Sequence, residues 1–306
     1  MNEIRDGIYP TMITPFTREN QVDYEAMAAL IEYYVASGCD GIFALCLSSE
    51  IFHLSDREMR QMMKFIARQN KGRLSLIASA HTAIDLQAQI QQLRDVYENG
   101  AEKAVLILNR LALPAEGEDA VKRGAEAIFN ALPDVAFGIY ECPYPYKRTA
   151  SDELLLWFAK TGRVSFLKDT CCDLERIRRR LGLLKGTGLK LYNANSATLL
   201  SSLRAGAAGF SGIMANFHAD LYARLYQMHR EKDPGADALQ AFLTLASAAE
   251  SKLYPVNCKY HLRYLGIRAA TVTRSQDMGG WCPLLESETD DLARMEAMIR
   301  RQFIKA

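Results

Sequence analysis

The sequence predicts a (β/α)8 TIM barrel followed by a C-terminal helical segment. Three observations lead there. Short apolar runs alternate with helix-patterned stretches eight times within about the first 220 residues. Such alternation means a parallel sheet with right-handed crossovers, and eight units close most simply as a barrel. No Gly-x-Gly-x-x-Gly follows the first strand, which disfavours an open doubly wound sheet. No long linker or low-complexity stretch interrupts the chain. The expected division is therefore a barrel over 1–220 and a helical region over 221–306, packed on the barrel or on a neighbouring subunit.

The elements follow in order. Gly7-Ile-Tyr-Pro-Thr-Met-Ile-Thr-Pro-Phe16 is β-rich, and Asp23 opens a helix that stops at Ser37-Gly-Cys-Asp-Gly41, where glycine can take the left-handed cap. Ile42 to Cys46 is the second strand, and the capping box Ser55-Asp-Arg-Glu58 starts the next helix. Strands over 74–78, 105–108, 135–140, 164–168 and 189–192 alternate with helices over 82–97, 118–131, 151–160, 173–184 and 196–204. Ala205-Gly-Ala-Ala-Gly-Phe210 turns into the last strand. From Asn216 the pattern is helical, with breaks at Asp233-Pro-Gly235 and Leu253-Tyr-Pro255.

Lys+Arg 37 against Asp+Glu 36 leaves a formal net charge of +1, which gives no pull towards nucleic acid or an anionic membrane. The opening residues hold no apolar core of the secretory type, and no apolar run approaches a membrane span. Seven cysteines form no Cys-x-x-Cys pair and suit a reducing cytoplasm better than disulfides or zinc. The expectation is a cytoplasmic enzyme with no cofactor and no metal.

The chemistry concentrates at Val164-Ser-Phe-Leu-Lys-Asp-Thr170. An apolar strand there ends in a lysine, and desolvation makes an amine easier to deprotonate and so nucleophilic towards a carbonyl. Snorkelling or ion pairing is the ordinary use of such a lysine. In a barrel, function sits where strands pass into their following loops. Those positions are Thr14, Ser48, Ser49, Glu50, His81, Asn109, Arg110, Tyr140, Lys168, Asn193, Asn195 and Ser211. A phenol on the strand beside a reactive amine can shuttle protons as a carbinolamine collapses. Small hydroxyls and amides before a helix can hold a carboxylate. His81 offers an acid or base, or merely caps its loop. Glu50 reads as a loop-holding group, and Arg176 with Arg178-Arg-Arg180 as a solvated helix face.

These motifs together resemble the dihydrodipicolinate synthase / N-acetylneuraminate lyase family of pyruvate-dependent class I aldolases. Pro10-Thr-Met-Ile-Thr-Pro-Phe16 resembles the family's opening strand. Gly41-Ile-Phe-Ala-Leu-Cys-Leu-Ser-Ser-Glu50, followed by Leu54-Ser55 and Glu58, stands where the family has Gly-Thr-Thr-Gly-Glu, Leu-Ser and Glu. Ile139-Tyr-Glu-Cys-Pro143 is similar to its Tyr-Asn-x-Pro, Phe166-Leu-Lys-Asp-Thr170 to its Schiff-base strand, and Gly206-Ala-Ala-Gly209 to the turn before the last strand. The resemblance implies that Lys168 forms the Schiff base with a 2-oxo acid and that Tyr140 transfers protons. It implies that Ser48, with the amides of the Leu47-Ser48-Ser49 turn, grips the carboxylate. It also implies a homotetramer or dimer.

The departures bear on the substrate. Leu47 replaces the family's relay threonine and carries no proton. Leu108-Asn-Arg-Leu-Ala-Leu113 replaces the Pro-Tyr-Tyr segment that supplies a relay tyrosine, which argues against efficient dihydrodipicolinate synthesis. Arg148 is the nearest match to the family's carboxylate-binding arginine, in a shifted register, and Arg110 is an equal candidate. Asn193, Asn195 and Ser196 stand where the sugar-acid lyases bind a polyol, although Ser196 also suits a helix cap. Ser211 closes the set at the last strand. Two rivals stand beside the Schiff-base lyase: a metal-dependent class II aldolase, and a barrel that binds an oxo acid or sugar acid without turning it over.

Overall fold

The computed structural model describes residues 3–304. It is the expected barrel. Eight parallel strands, β1 (Gly7–Ile8), β2 (Gly41–Ala44), β3 (Ser75–Ala78), β4 (Lys103–Ile107), β5 (Phe137–Tyr140), β6 (Val164–Asp169), β7 (Lys190–Asn193) and β8 (Gly209–Phe210), form one sheet in the order β1-β8-β7-β6-β5-β4-β3-β2. A parallel bridge between Thr11 and Phe43, with Phe43 N donating to the Pro10 carbonyl at 3.0 Å, joins the two ends of that sheet.

Seven helices fill the crossovers: α1 (Tyr24–Ala36), α2 (Asp56–Asn70), α3 (Leu86–Glu98), α4 (Glu118–Ala131), α5 (Asp152–Lys160), α6 (Leu174–Leu184) and α7 (Leu199–Arg204). Four of the expected starts are side-chain caps. Asp23, Ser55, Ser151 and Asp173 each accept from a backbone N–H of the first turn, and Ser55 forms the full box with Glu58. The third helix starts later than its pattern suggested, because Asp85 takes the cap and leaves 82–85 in the rim loop. The first strand is shorter than its β-rich stretch, because only Gly7 and Ile8 find ladder partners in β8.

Aromatic rings plug the barrel. Phe166 lies 4.6 Å from Tyr192 and 5.9 Å from Phe43 between centroids, and Tyr9 lies 5.1 Å from Tyr192. Such filling makes the interior a packed core with chemistry confined to its mouth. Gly41 belongs to that packing: a Cβ there would fall 2.0 Å from the Tyr9 ring.

Beyond β8 the chain forms α8 (Ala215–Glu231), α9 (Ala236–Ala246), α10 (Val256–His261) and α11 (Pro283–Phe303). The expected boundary at residue 220 falls inside α8, which packs on β1 and α7 as the eighth barrel helix and continues into the C-terminal layer. Its Tyr222, Leu225 and Met228 are core. Glu296 of α11 accepts from His218 of α8 at 2.9 Å and His261 of α10 at 3.0 Å, which ties the three helices. Among the described residues no helix is long and apolar enough to cross a membrane.

Candidate active site

The register of β5 and β6 makes Tyr140 and Lys168 direct neighbours, so both side chains emerge on the same face at the mouth. Lys168 is 3% exposed. Its Nζ lies over the Tyr140 ring, 4.4 Å from the centroid, and 5.6 Å from the Phe43 centroid. Among the described residues it makes no ion pair. Burial pulls its amine below the ordinary lysine range, opposed by Cys46, Cys142 and Glu250. Burial likewise pushes the Tyr140 phenol well above its usual range, so it stays protonated.

These two groups open into a cavity of about 460 Å³ whose wall includes Leu47, Ser48, Phe52, Asn195, Ile213, Glu250 and Tyr254. Leu47–Ser49 is a single 3-10 turn at the end of β2, entered through Leu45 at φ 47° and left through Glu50 at φ 60°. Two non-glycine residues in the left-handed region bracket this turn, a strain that surrounding structure must hold. Glu50 does the holding. It accepts from Lys259 Nζ at 2.5 Å, Thr273 Oγ1 at 2.6 Å, Arg274 N at 2.6 Å and Ser275 N at 2.8 Å. Burial pushes its carboxyl up, but the Lys259 ammonium and these bonds outweigh it and hold it below the usual range.

Several sequence candidates point elsewhere. Ser49 is turned inward: its Oγ donates to the Met12 carbonyl at 2.6 Å and its N–H to the Cys46 carbonyl at 2.9 Å. Arg148 donates to the Leu113 and Glu116 carbonyls at 2.7 and 3.0 Å, which draws it out to the neighbouring loop. Arg110 lies over the Phe52 ring, 5.9 Å from its centroid, and reaches the Ala83 carbonyl at 3.4 Å. Ser49, Arg148, Arg110 and Ser211 are absent from the cavity wall. Ser48 is on it, with its hydroxyl donating to Thr11 Oγ1 at 3.1 Å. Asn195 is on it too, although its Oδ1 accepts from Thr198 N at 3.0 Å as a turn-shaping group. Ser196 pairs with the Tyr222 hydroxyl at 2.7 Å.

His81 is buried with both ring nitrogens engaged, by Gln89 Oε1 at 2.8 Å and by the Ile107 N–H at 2.9 Å. Burial lowers it to about 4, so near neutrality it is an uncharged link between β3, α3 and β4.

The arginine run on α6 corrects its reading as a solvated face. Arg178 and Arg179 are exposed, but Arg180 is fully buried and pairs with Glu141 at 2.8 Å and with Asp169. Those carboxylates directly follow Tyr140 and Lys168, and alternation along the strand sends them outward behind the site. Among the described residues, no group of three or more His, Cys, Asp or Glu side chains is arranged to hold a metal ion.

Glu250 and Tyr254 went unseen in the sequence. Both lie between α9 and α10, in Ser-Ala-Ala-Glu-Ser-Lys-Leu-Tyr-Pro, and only the break at Pro255 marked the stretch as irregular. One oxygen of Glu250, Oε1, is sealed from solvent without a hydrogen-bond partner.

A TIM barrel with a desolvated lysine and a phenol on adjacent strands at its mouth has the layout of a carbonyl-directed, amine-nucleophile enzyme. The chain matches the dihydrodipicolinate synthetase family over residues 5–302, and it belongs to that family. It is 28% identical over 237 residues to the N-acetylneuraminate lyase of Salmonella typhimurium, spanning 76% of this chain and 77% of that one. Among solved structures, the wild-type sialic acid aldolase of Ruminococcus gnavus superposes with TM-score 0.88 at 18% identity, covering 99% of this chain and 100% of that one. Dihydrodipicolinate synthase from Aquifex aeolicus does so with TM-score 0.84 at 19% identity, covering 95% and 98%. A prophage protein of the dihydrodipicolinic acid synthase family from E. coli, in complex with pyruvate, gives TM-score 0.85 at 19% identity, covering 96% and 98%.

Proposed function

We propose that this chain is a class I lyase that forms a Schiff base between Lys168 and a 2-oxo acid, either pyruvate or a 2-oxo-3-deoxy sugar acid. The observation that carries the reading is the setting of Lys168: buried at the mouth of the barrel, over the Tyr140 ring, with its amine depressed by burial. Membership of the dihydrodipicolinate synthetase family supports a Schiff-base aldolase-type lyase. One of the similar structures is a Ruminococcus gnavus sialic acid aldolase altered at its catalytic lysine, and the E. coli neighbour was solved with pyruvate.

In this reading the neutral amine of Lys168 attacks the oxo carbon. Tyr140, kept protonated by burial, returns a proton as the carbinolamine loses water. The iminium is an electron sink, so the adjacent carbon can lose or gain a bond. Ser48 and the opening amides of its turn would receive the carboxylate. Within this proposal the protein works as a cytoplasmic homodimer or homotetramer.

Borohydride trapping with pyruvate, read by intact mass and peptide mapping, tests the chemistry. The expected result is an adduct on Lys168 that Lys168→Ala abolishes. An adduct confined to a longer oxo acid would move the donor. No adduct with any oxo acid would leave the binding barrel in its place.

A further inference from the structure

The cavity holds more ionisable groups than the Schiff base needs, and one of them is unaccounted for. Tyr140 and Tyr254 are both held protonated by burial. Glu50 is saturated by Lys259, Thr273 and two backbone amides, and Leu47 carries no proton. His53, Tyr144, Lys147 and Cys172 sit exposed at the outer rim. That leaves Glu250, from the 3-10 turn Ser247–Ser251.

Glu250 lines the same cavity as Lys168, and each group feels the other's charge. The hydroxyl of Ser196, which pairs with Tyr222 of α8, lies close enough to favour its charged form, while Tyr222 and Tyr254 from the following loop lie within its field. The Glu250 carboxyl oxygen buried without a partner is costly, and its place on the wall of the Lys168 cavity gives that cost a functional reading. Burial pushes Glu250 up to about 7, with Lys168 and Ser196 pulling the other way. A carboxyl balanced near neutrality can both take and return a proton.

We propose that Glu250 is the group that removes and returns the proton on the carbon next to the Lys168 iminium. This rests on the Schiff-base reading above. The step balances: the Glu250 carboxylate takes the C3 proton, the C–H electron pair becomes the C2–C3 double bond, and the iminium π pair moves onto nitrogen. The products are a neutral enamine and a protonated Glu250. The reverse step delivers a solvent proton to C3.

Pyruvate alone suffices for the test, because the step exchanges its methyl hydrogens with solvent. Wild type and Glu250→Gln are compared in two assays: borohydride trapping with pyruvate, and proton NMR of methyl H/D exchange in D2O across the range around neutrality. Glu250→Gln still traps pyruvate on Lys168 but exchanges about a hundredfold more slowly. Wild-type exchange rises with pH through an inflection near the Glu250 value of about 7, because the carboxylate is the active form. Glu250→Gln loses that inflection, and Glu250→Asp restores part of the rate. Trapping with exchange within about twofold of wild type in Glu250→Gln overturns the proposal alone, since a general acid or base contributes far more than that. Absence of any adduct in wild type overturns the Schiff-base reading, and this proposal with it.

Discussion

Replacing Arg180 by methionine would test how the floor behind Tyr140 and Lys168 is held. The guanidinium is fully buried, and its Nη2 donates to Glu141 Oε1 at 2.8 Å and to the Ala150 carbonyl at 2.7 Å. Its Nη1 serves Asp169 and also Glu141 Oε2 at 3.2 Å. Burial alone would weaken its hold on the proton, but Glu141 and Asp169 reverse this and raise it. Methionine fills much of the same volume and removes the charge. Breaking one buried pair by deleting a partner costs about 3–5 kcal/mol, and here two carboxylates are stranded, so the loss reaches the top of that range. Backbone donors soften it: Ala150 and Thr170 amides still reach Glu141 at 2.9 and 3.1 Å. A loss of about 5 kcal/mol is a large share of a typical stability of about 5–15 kcal/mol. It lowers the melting temperature by about 10 °C or more. Urea and thermal unfolding read the loss directly. Arg178→Ala, on the same helix but in an exposed pair with Glu175, is the control and costs about 0–1 kcal/mol. A loss below about 1 kcal/mol for Arg180→Met refutes the argument.

Two further outcomes follow from the rim. Arg110→Ala and Arg148→Ala leave pyruvate trapping within about twofold of wild type, because both guanidiniums are spent on carbonyls outside the cavity; a tenfold loss in either would place it on the oxo acid (about 1.4 kcal/mol). Lys259→Met strands the buried Glu50 and costs about 3–5 kcal/mol in thermal unfolding, less what its three remaining donors retain. Because the Glu50 carboxyl is depressed in the folded wild type, its stabilisation is present above the ordinary carboxylate pKa of about 4.3 and is lost as pH falls below it. The acid limb of the wild-type stability curve is therefore steeper than that of Lys259→Met.

What could be read from the chain is local. Asp23, Ser55, Ser151 and Asp173 cap the helices they were expected to start, because a cap needs only its own first turn. The neighbourhood of Tyr140 and Lys168 follows from strand order once the sheet is parallel and consecutive. The reach of Arg148 and Arg110 was not legible, since it is decided by the Leu113, Glu116 and Ala83 carbonyls presented by other loops. Arg180 failed for the same reason. Its helix pattern reads as a charged face, and only the fold brings Glu141 and Asp169 beneath it.

The largest gap concerns the C-terminal third of the molecule, and it changes what the site is. An α/β barrel read from sequence places its chemistry on the loops after its own strands, and that reasoning finds Ser48, Tyr140, Lys168 and Asn195. A further part of the wall comes from Ile213, Glu250, Tyr254, Ser275 and Gln276, all beyond β8. These residues are not placed by helical packing alone. Glu50, at the end of the Leu47–Ser49 turn, clasps Lys259, Thr273, Arg274 and Ser275 together, and Arg274 reaches back to Glu58 at 2.9 Å at the start of α2. The Leu47–Ser49 turn and the 273–275 segment beside it are therefore held by one carboxylate. A substitution at Lys259, Thr273, Arg274 or Ser275 therefore acts on the cavity through the same bonds as one at Glu50, and the chain beyond β8 is part of the cavity wall rather than an appendage to the barrel.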